Sequence, residues 1–131
     1  MSYRLTFIPI DPQSLPLNVS IFTPRLTMPS GDHRIIGQIF DLSFRRSTEP
    51  DVPKHPVVRS REIPVGVQVE IVYEDRVVST STTKFGEPYR ITTVGELKKI
   101  VLPPDCDPYD SAAKAYIDAL PDRWPVVIVL D

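Results

Sequence analysis

The balance of proline against glycine constrains the fold of this chain more than any other feature of its sequence. The 131 residues include fifteen prolines and only five glycines. Proline fixes the backbone angle φ and removes a hydrogen-bond donor, so it interrupts long helices and central strands. The composition therefore favours short strands joined by stiff loops over a helical bundle or a parallel-sheet nucleotide-binding fold.

Length and charge narrow the class of protein. A chain of 131 residues fits one domain with a real core, and we expect a single domain over 1–131. The net charge of −2 argues against broad nucleic-acid binding through bulk charge. The one cysteine, Cys106, cannot form an internal disulfide, and no run approaches about 18 apolar residues. We expect an intracellular, cytoplasmic protein.

Alternation of apolar and polar residues predicts antiparallel strands at 3–10, 17–21 and 35–44. The clearest pattern is a hairpin that joins 67–73 to 77–83. We expect its inward side chains, Val69 and Ile71, to pack against Phe40 and Leu42 of the third strand.

Two short helices are predicted in the C-terminal half. The run Thr-Val-Gly-Glu at 93–96 matches a capping box and predicts a helix over 94–101. Asp107 followed by Pro108 matches an N-cap and a proline at the first helical position, and Pro121 ends the second helix. The whole pattern predicts an α+β fold, mainly antiparallel β, as a sandwich or a partly open barrel.

The segment 45–64 is a proline-rich charged loop. Its four prolines exclude it from the interior of a sheet, and with eight charged side chains we expect it to pack little. Five basic against three acidic side chains give it a net charge of +2. This predicts contact with an anionic lipid surface, a nucleic acid or the acidic end of a neighbouring copy; a merely solvated loop is the alternative. The basic residues are Arg45, Arg46, Lys54, Arg59 and Arg61.

The C-terminal part of the chain is acidic and ends in an aliphatic run. Residues 102–131 hold six aspartates against Lys114 and Arg123. The run 126–130 has five aliphatic residues without alternation, so both faces of this strand should be covered. A neighbouring copy could supply that cover by edge pairing, and we expect self-association that weakens as salt rises. The residues assigned to this contact are Val126, Val127, Ile128 and Val129.

No sequence motif indicates catalysis. The two histidines, His33 and His55, lie in loop sequence without a partner at motif spacing. The three aspartates at 105, 107 and 110 begin like a calcium loop but lack its glycine and terminal glutamate. We therefore predict a protein that is not an enzyme, with no catalytic residue, cofactor or metal.

Two short segments resemble matrix proteins of negative-strand RNA viruses. Pro-Tyr-Arg at 88–90, followed by the capped segment Thr-x-x-Glu-Leu at 93–97, is similar to a strand-to-helix segment of rhabdovirus matrix proteins. Ile-Pro-Ile-Asp-Pro at 8–12 is similar to a run in filovirus matrix proteins. The resemblance implies self-association beneath an anionic membrane, contact with a nucleocapsid or nucleoprotein, association with the virion, and no specific nucleic-acid recognition.

The leading expectation is thus a non-enzymatic, self-associating assembly protein of matrix type, located at the membrane periphery or in the virion. The alternative is an accessory or adaptor module that binds a host protein through a sheet edge or through the proline-rich loop.

Overall fold

The computed structural model describes residues 3–12, 19–42, 49–83 and 86–131. Strands β1 (Leu5–Pro9), β2 (Leu26–Met28), β3 (Arg61–Glu62), β6 (Arg90–Thr93) and β7 (Pro125–Leu130) form one sheet, and β4 (Val69–Tyr73) pairs with β5 (Arg76–Thr80) in a hairpin. The helices are α1 (His33–Ile36), α2 (Val94–Leu97) and α3 (Pro108–Asp118). The predicted α+β, mainly antiparallel fold is confirmed, although α1 lies in the N-terminal half.

The five-stranded sheet has the order β2-β1-β7-β6-β3, and every pairing in it is antiparallel. Within the described residues it is an open sheet, because its outer strands β2 and β3 do not pair with each other. The long strand β7 lies at its centre, in register with β1 on one side and β6 on the other. The sheet is the middle of three layers, with the helices on one face and the hairpin on the other.

Two apolar clusters lie on opposite faces of the sheet. Alternate residues of β7 serve the two faces: Val126 and Ile128 pack towards the helices, and Val127 and Val129 pack towards the hairpin. This alternation explains why β7 has no polar position. It also separates the predicted core group, because Phe40 and Leu42 belong to the helix-side cluster and Val69 and Ile71 to the hairpin-side cluster. That prediction of a shared contact was wrong.

The predicted third strand, 35–44, was also wrong over its described part, because residues 35–36 end helix α1 and a turn follows them; residues 43–44 lie outside the described residues. Asp32 caps this helix, and its carboxylate accepts a hydrogen bond from the Arg34 backbone N–H at 2.9 Å. Ile35, Ile36 and Ile39 are all buried, a spacing that suits one face of a helical turn. Of the predicted second strand, 17–18 lie outside the described residues, and Val19 makes only an isolated parallel bridge to Val69.

Both predicted helix starts are confirmed, with one difference in chemistry. The Asp107 side chain accepts from the Tyr109 N–H at 2.8 Å, and Pro108 opens α3. The Thr93 hydroxyl accepts from the Glu96 N–H at 3.3 Å. The Glu96 carboxylate does not complete the capping box, because it accepts from the Arg59 N–H at 2.8 Å. Helix α2 is also shorter than predicted and ends at Leu97.

Three residues of the proline-rich loop pack into the core, contrary to expectation, although most of its described residues are exposed. Val52, Val58 and Ile63 are buried. The backbone N–H groups of residues 57 and 58 both donate to the Gln38 carbonyl, at 2.9 and 3.0 Å. The loop ends in β3 at the sheet edge, where a proline-rich segment can contribute a short strand.

Candidate interaction surfaces

The structure separates the five predicted cationic residues. Arg45 and Arg46 lie outside the described residues, and Lys54 is exposed. Arg59 and Arg61 are exposed and line the same groove, which has a volume of about 370 Å³. We call it the arginine groove; it is lined by Arg59, Arg61, Thr92, Thr93, Glu96 and Pro125, among others.

Hydrogen bonds fix the backbone that carries the two arginines. The N–H of Arg59 donates to Glu96, and its carbonyl accepts from the Thr92 hydroxyl at 2.5 Å. The Arg90 guanidinium donates to the Ser60 carbonyl at 2.6 Å, and Arg61 pairs with Ile91 of β6. Within the described residues neither Arg59 nor Arg61 forms a salt bridge. Two guanidinium groups therefore project from a fixed edge.

Glu96 is the one acidic residue that lines the arginine groove in the described chain. The Lys99 ammonium contacts its carboxylate at 2.7 Å, and the Arg59 N–H binds its other oxygen. The hydrogen bond from Lys99, followed by that from Arg59, holds the pKa of Glu96 below its usual range. Glu96 is therefore ionised but paired, and the two arginines keep the groove cationic.

The acidic C-terminal region is compensated within the chain itself. Asp105 pairs with Arg34 at 2.7 Å, and Asp118 pairs with Lys114 at the same distance. Asp122 pairs with Lys98, and Asp107 caps α3. A fifth aspartate, Asp110, is fully buried and accepts a hydrogen bond from Ser30. The predicted acidic end thus has few carboxylates left for a neighbouring copy.

The predicted self-association residues lie inside the sheet. Val126, Val127, Ile128 and Val129 are at most 4% exposed. Cover on both faces was predicted, and the two apolar clusters of the same chain provide it. The two edges of β7 are paired with β1 and β6, so no neighbouring copy is needed. The structure corrects this assignment, because a central strand with both edges paired cannot offer a surface to a partner.

Strand β5 has an unpaired edge in the described part of the chain. The turn at 74–75 has two residues, so Tyr73 and Arg76 form a hydrogen-bonded pair across the hairpin. Antiparallel alternation then points the backbone N–H and C=O groups of Val77 and Ser79 away from β4. No other described strand pairs with them.

The outer edge of β4 differs from that of β5 because it is already covered. The Glu70 N–H donates to the Val19 carbonyl at 2.8 Å, and the Arg25 guanidinium donates to the Glu70 carbonyl. The Ile21 N–H donates to the Glu70 carboxylate at 3.0 Å. Among the described residues, the free edge of the hairpin is therefore on β5.

An exposed apolar patch accompanies the β5 edge. Val72 and Val77 are cross-strand partners on the outer face and are 61% and 51% exposed. Tyr73, on the opposite face, is 54% exposed at the hairpin tip. Sequence reasoning found this hairpin but missed its exposed edge, because alternation marks a buried face without showing which edges other strands cover.

Other features of the described chain point less clearly to function. His33 contacts Glu49 at 2.7 Å, and His55 is exposed. No group of three or more potential metal ligands lies together in the described ranges. No helix there is long and apolar enough to cross a membrane. A second groove, of about 490 Å³, contains Tyr116, Trp124 and Phe22, which is 91% exposed.

Comparison of the chain with models of known protein families, with curated proteins and with solved structures gave no match. The resemblance to viral matrix proteins therefore rests on the short segments at 8–12, 88–90 and 93–97 alone.

Proposed function

We propose that this chain is a non-enzymatic protein-interaction module that receives an extended segment of a partner protein along β5. The observation that supports the proposal is the backbone edge at Val77 and Ser79, which no other part of the described chain pairs with, next to the exposed side chains of Val72 and Val77. A strand that docks there would extend the hairpin to three strands. Its backbone supplies hydrogen bonds, and its alternate side chains contact the apolar patch.

Strand β5 lacks the features that usually protect a free edge. Natural edge strands are short, charged, bulged or interrupted by proline. Strand β5 has five residues and contains no proline, and its one charged residue, Arg76, stands at its start. The edge strand β3, in contrast, has only two residues, and Arg90 occupies the Ser60 carbonyl beside it.

Self-assembly of matrix type is the second candidate, with a second copy at the same edge. A two-fold axis at Val78 would set the outward backbone groups of Val77 opposite those of Ser79 in the second copy. Arg76 would then face Thr80, so no like charges oppose each other. The partners expected of a matrix protein, an anionic membrane surface and a nucleoprotein, belong to this candidate.

Proline substitution at position 79 tests both candidates. Ser79→Pro removes an outward-pointing N–H that the β4–β5 ladder does not use, so the hairpin should persist. Ser79→Thr keeps the N–H and is the matched control. Peptides selected from a random display library against the unaltered chain should bind Ser79→Thr and lose affinity for Ser79→Pro, and they should protect the Val77 and Ser79 amides from hydrogen exchange.

The outcomes separate the candidates. Selected peptides that bind Ser79→Pro as well as the unaltered chain would contradict strand addition at β5. Sedimentation velocity on the three proteins addresses the second copy: a dimer that only Ser79→Pro abolishes would favour self-assembly. Far-UV circular dichroism and a urea midpoint on each variant verify that the fold is retained.

A further inference from the structure

We propose that the arginine groove binds an acidic, extended segment of a partner protein that carries carboxylates at alternate residues. This site is formed by β3 and β6 and is separate from β5, so the proposal does not depend on strand addition there. Charge complementarity identifies the occupant: the groove presents two guanidinium groups without a salt-bridge partner in the described chain, and its one acid is already paired.

The spacing of the arginines favours a carboxylate at every second residue. Arg59 and Arg61 are two positions apart and line the same groove. Two residues of extended chain span roughly 6.7 Å. In an extended peptide, side chains on one face recur at the same interval, so two alternate carboxylates can meet the two guanidinium groups. Adjacent carboxylates would point to opposite faces.

The chemistry of the groove suits carboxylates. A guanidinium group binds a carboxylate through two parallel N–H···O hydrogen bonds. Both arginines keep their side chains available, because it is their backbone groups that bind Glu96, Thr92 and β6. Pro125 is partly exposed and adds apolar surface along the groove, against which the aliphatic part of a bound segment can pack.

The acidic region of a second copy is a poor occupant. Asp105, Asp118 and Asp122 are held by Arg34, Lys114 and Lys98 of their own chain. A nucleic acid is also disfavoured, since no aromatic ring lines the described groove to stack on a base, and the chain has a net charge of −2. The complementary partner is therefore an acidic segment of a different protein.

Two synthetic peptides of equal composition test the spacing. One alternates glutamate and threonine, and the other has its glutamates in one block. Fluorescence anisotropy at low salt should show that the alternating peptide binds roughly tenfold more tightly than the blocked one. Its amide chemical-shift changes should fall on Ile91, Thr92 and Thr93. Raising the ionic strength should weaken binding, because exposed ion pairs are screened.

Charge-removing variants test the residues. Arg59→Gln and Arg61→Gln should each lower affinity for the alternating peptide about three- to tenfold, as expected for partly exposed charge-assisted contacts. Lys54→Gln also removes one positive charge, at an exposed residue that does not line the groove, and should leave affinity unchanged. Both groove arginines are exposed, so the fold should survive either substitution. Arg61→Glu reverses the charge at one of them, and an alternating lysine–threonine peptide then tests the same contact with the charges exchanged.

Several results would overturn the proposal. These are equal binding of the two glutamate peptides, equal effects of Lys54→Gln and Arg61→Gln, or chemical-shift changes away from β6. Binding of a thymidine oligonucleotide or of phosphatidylserine vesicles in preference to the alternating peptide would replace the acidic segment with a different class of partner. Because Ser79→Pro leaves this groove intact, loss of β5 binding in that variant does not affect the outcome here.

Discussion

Gln38 shows how a single polar residue can join three segments of this fold through its side chain and its backbone. The residue is buried, and its amide nitrogen donates to the carbonyls of Val101 and Arg34 at 2.7 and 3.0 Å. Its amide oxygen accepts from the Val101 N–H at 2.8 Å. Its own carbonyl accepts from the N–H groups of Val57 and Val58. Helix α1, the proline-rich loop and the segment after α2 therefore depend on one side chain and its backbone.

We expect Gln38→Met to destabilise the fold by about 1–2 kcal/mol, because it keeps the volume of the buried side chain but removes its hydrogen bonds to the backbone of Val101 and Arg34. Urea unfolding measures the change. Gln38→Ala should cost more, since it also leaves a cavity. A loss below about 0.5 kcal/mol for the methionine variant would show that the hydrogen bonds of Gln38 contribute little to stability.

Asp110 and Asp32 should make contributions to folding stability that change in opposite directions with pH. Burial raises the pKa of the Asp110 carboxyl above its usual range, although Ser30 donates a hydrogen bond to it. Burial also opposes ionisation of Asp32, but the hydrogen bonds from Arg34 prevail and hold its pKa below the usual range. One carboxyl thus favours its protonated form in the folded chain, and the other favours its ionised form.

The linkage between protonation and folding fixes the sign of each effect. The stability that Asp110 contributes is complete below its unfolded pKa, near 3.9, and is lost as pH rises through its folded pKa. The contribution of Asp32 is present above that unfolded pKa and is lost as pH falls through its folded pKa. Relative to Asp110→Asn, the unaltered chain should therefore lose stability as pH rises from about 3.5; relative to Asp32→Asn, it should gain. Urea unfolding measures the free energy of unfolding at each pH. If the curves of both variants against pH ran parallel to that of the unaltered chain, both assignments would be contradicted.

At the scale of elements, the hairpin turn is strained. Glu74 and Asp75 have positive φ angles of 49° and 62°, a conformation that costs ordinary residues about 1–2 kcal/mol each. The two-residue turn prefers asparagine followed by glycine. The double variant Glu74→Asn, Asp75→Gly should raise the free energy of unfolding by about 1 kcal/mol or more. Glu74→Gln removes a charge without relieving the angle and should change little; equal effects would indicate that charge, and not backbone strain, governs the turn.

The elements that sequence predicted correctly are those with a local chemical signal. The caps of Thr93 and Asp107, the hairpin and the aliphatic strand β7 all have one. Helix α1 was not predicted because the apolar residues at 36, 40, 42 and 44 also fit the alternation of a strand with one gap, and because Pro-Ser-Gly-Asp at 29–32 also fits a turn. A helix of four residues presents too little periodicity to decide between the two patterns.

The candidate sites show the same limit. The charge of Arg59 and Arg61 was visible in the sequence, but their shared groove depends on Glu96, Thr92 and Arg90, which are about thirty or more residues away along the chain. The β5 edge was not predicted, since pairing partners are a property of the whole topology.

At the scale of the whole molecule, β7 is the centre of the fold. It separates the two apolar clusters and joins β1, near the start of the chain, to β6. The aliphatic run at 126–130 predicted that both faces are covered but could not identify what covers them. The structure assigns the helices to one face and the hairpin to the other. Strand β7 therefore contributes to the stability of the fold, and a partner can contact only the exposed edges.

The pairing of the C-terminal aspartates within the chain changes the expected effect of salt on self-association. Salt-sensitive self-association was expected because six aspartates faced few cations in the C-terminal region. The carboxylates of Asp105, Asp118 and Asp122 are paired within the chain, so little unpaired acidic charge is left to attract the basic loop of another copy. At fixed protein concentration, the sedimentation coefficient should therefore be the same in about 0.05 M and about 0.5 M sodium chloride, since screening has no exposed pair between copies to act on.

A variant that frees the acidic charge is the matched comparison. The double substitution Arg34→Gln, Lys98→Gln removes the partners of Asp105 and Asp122, and both carboxylates are largely exposed. This variant should associate at low salt and dissociate at high salt, whereas the unaltered chain should not respond. If the unaltered chain itself dissociates as salt rises, charges outside these pairs must drive association, and the β5 edge loses its place as the contact between copies.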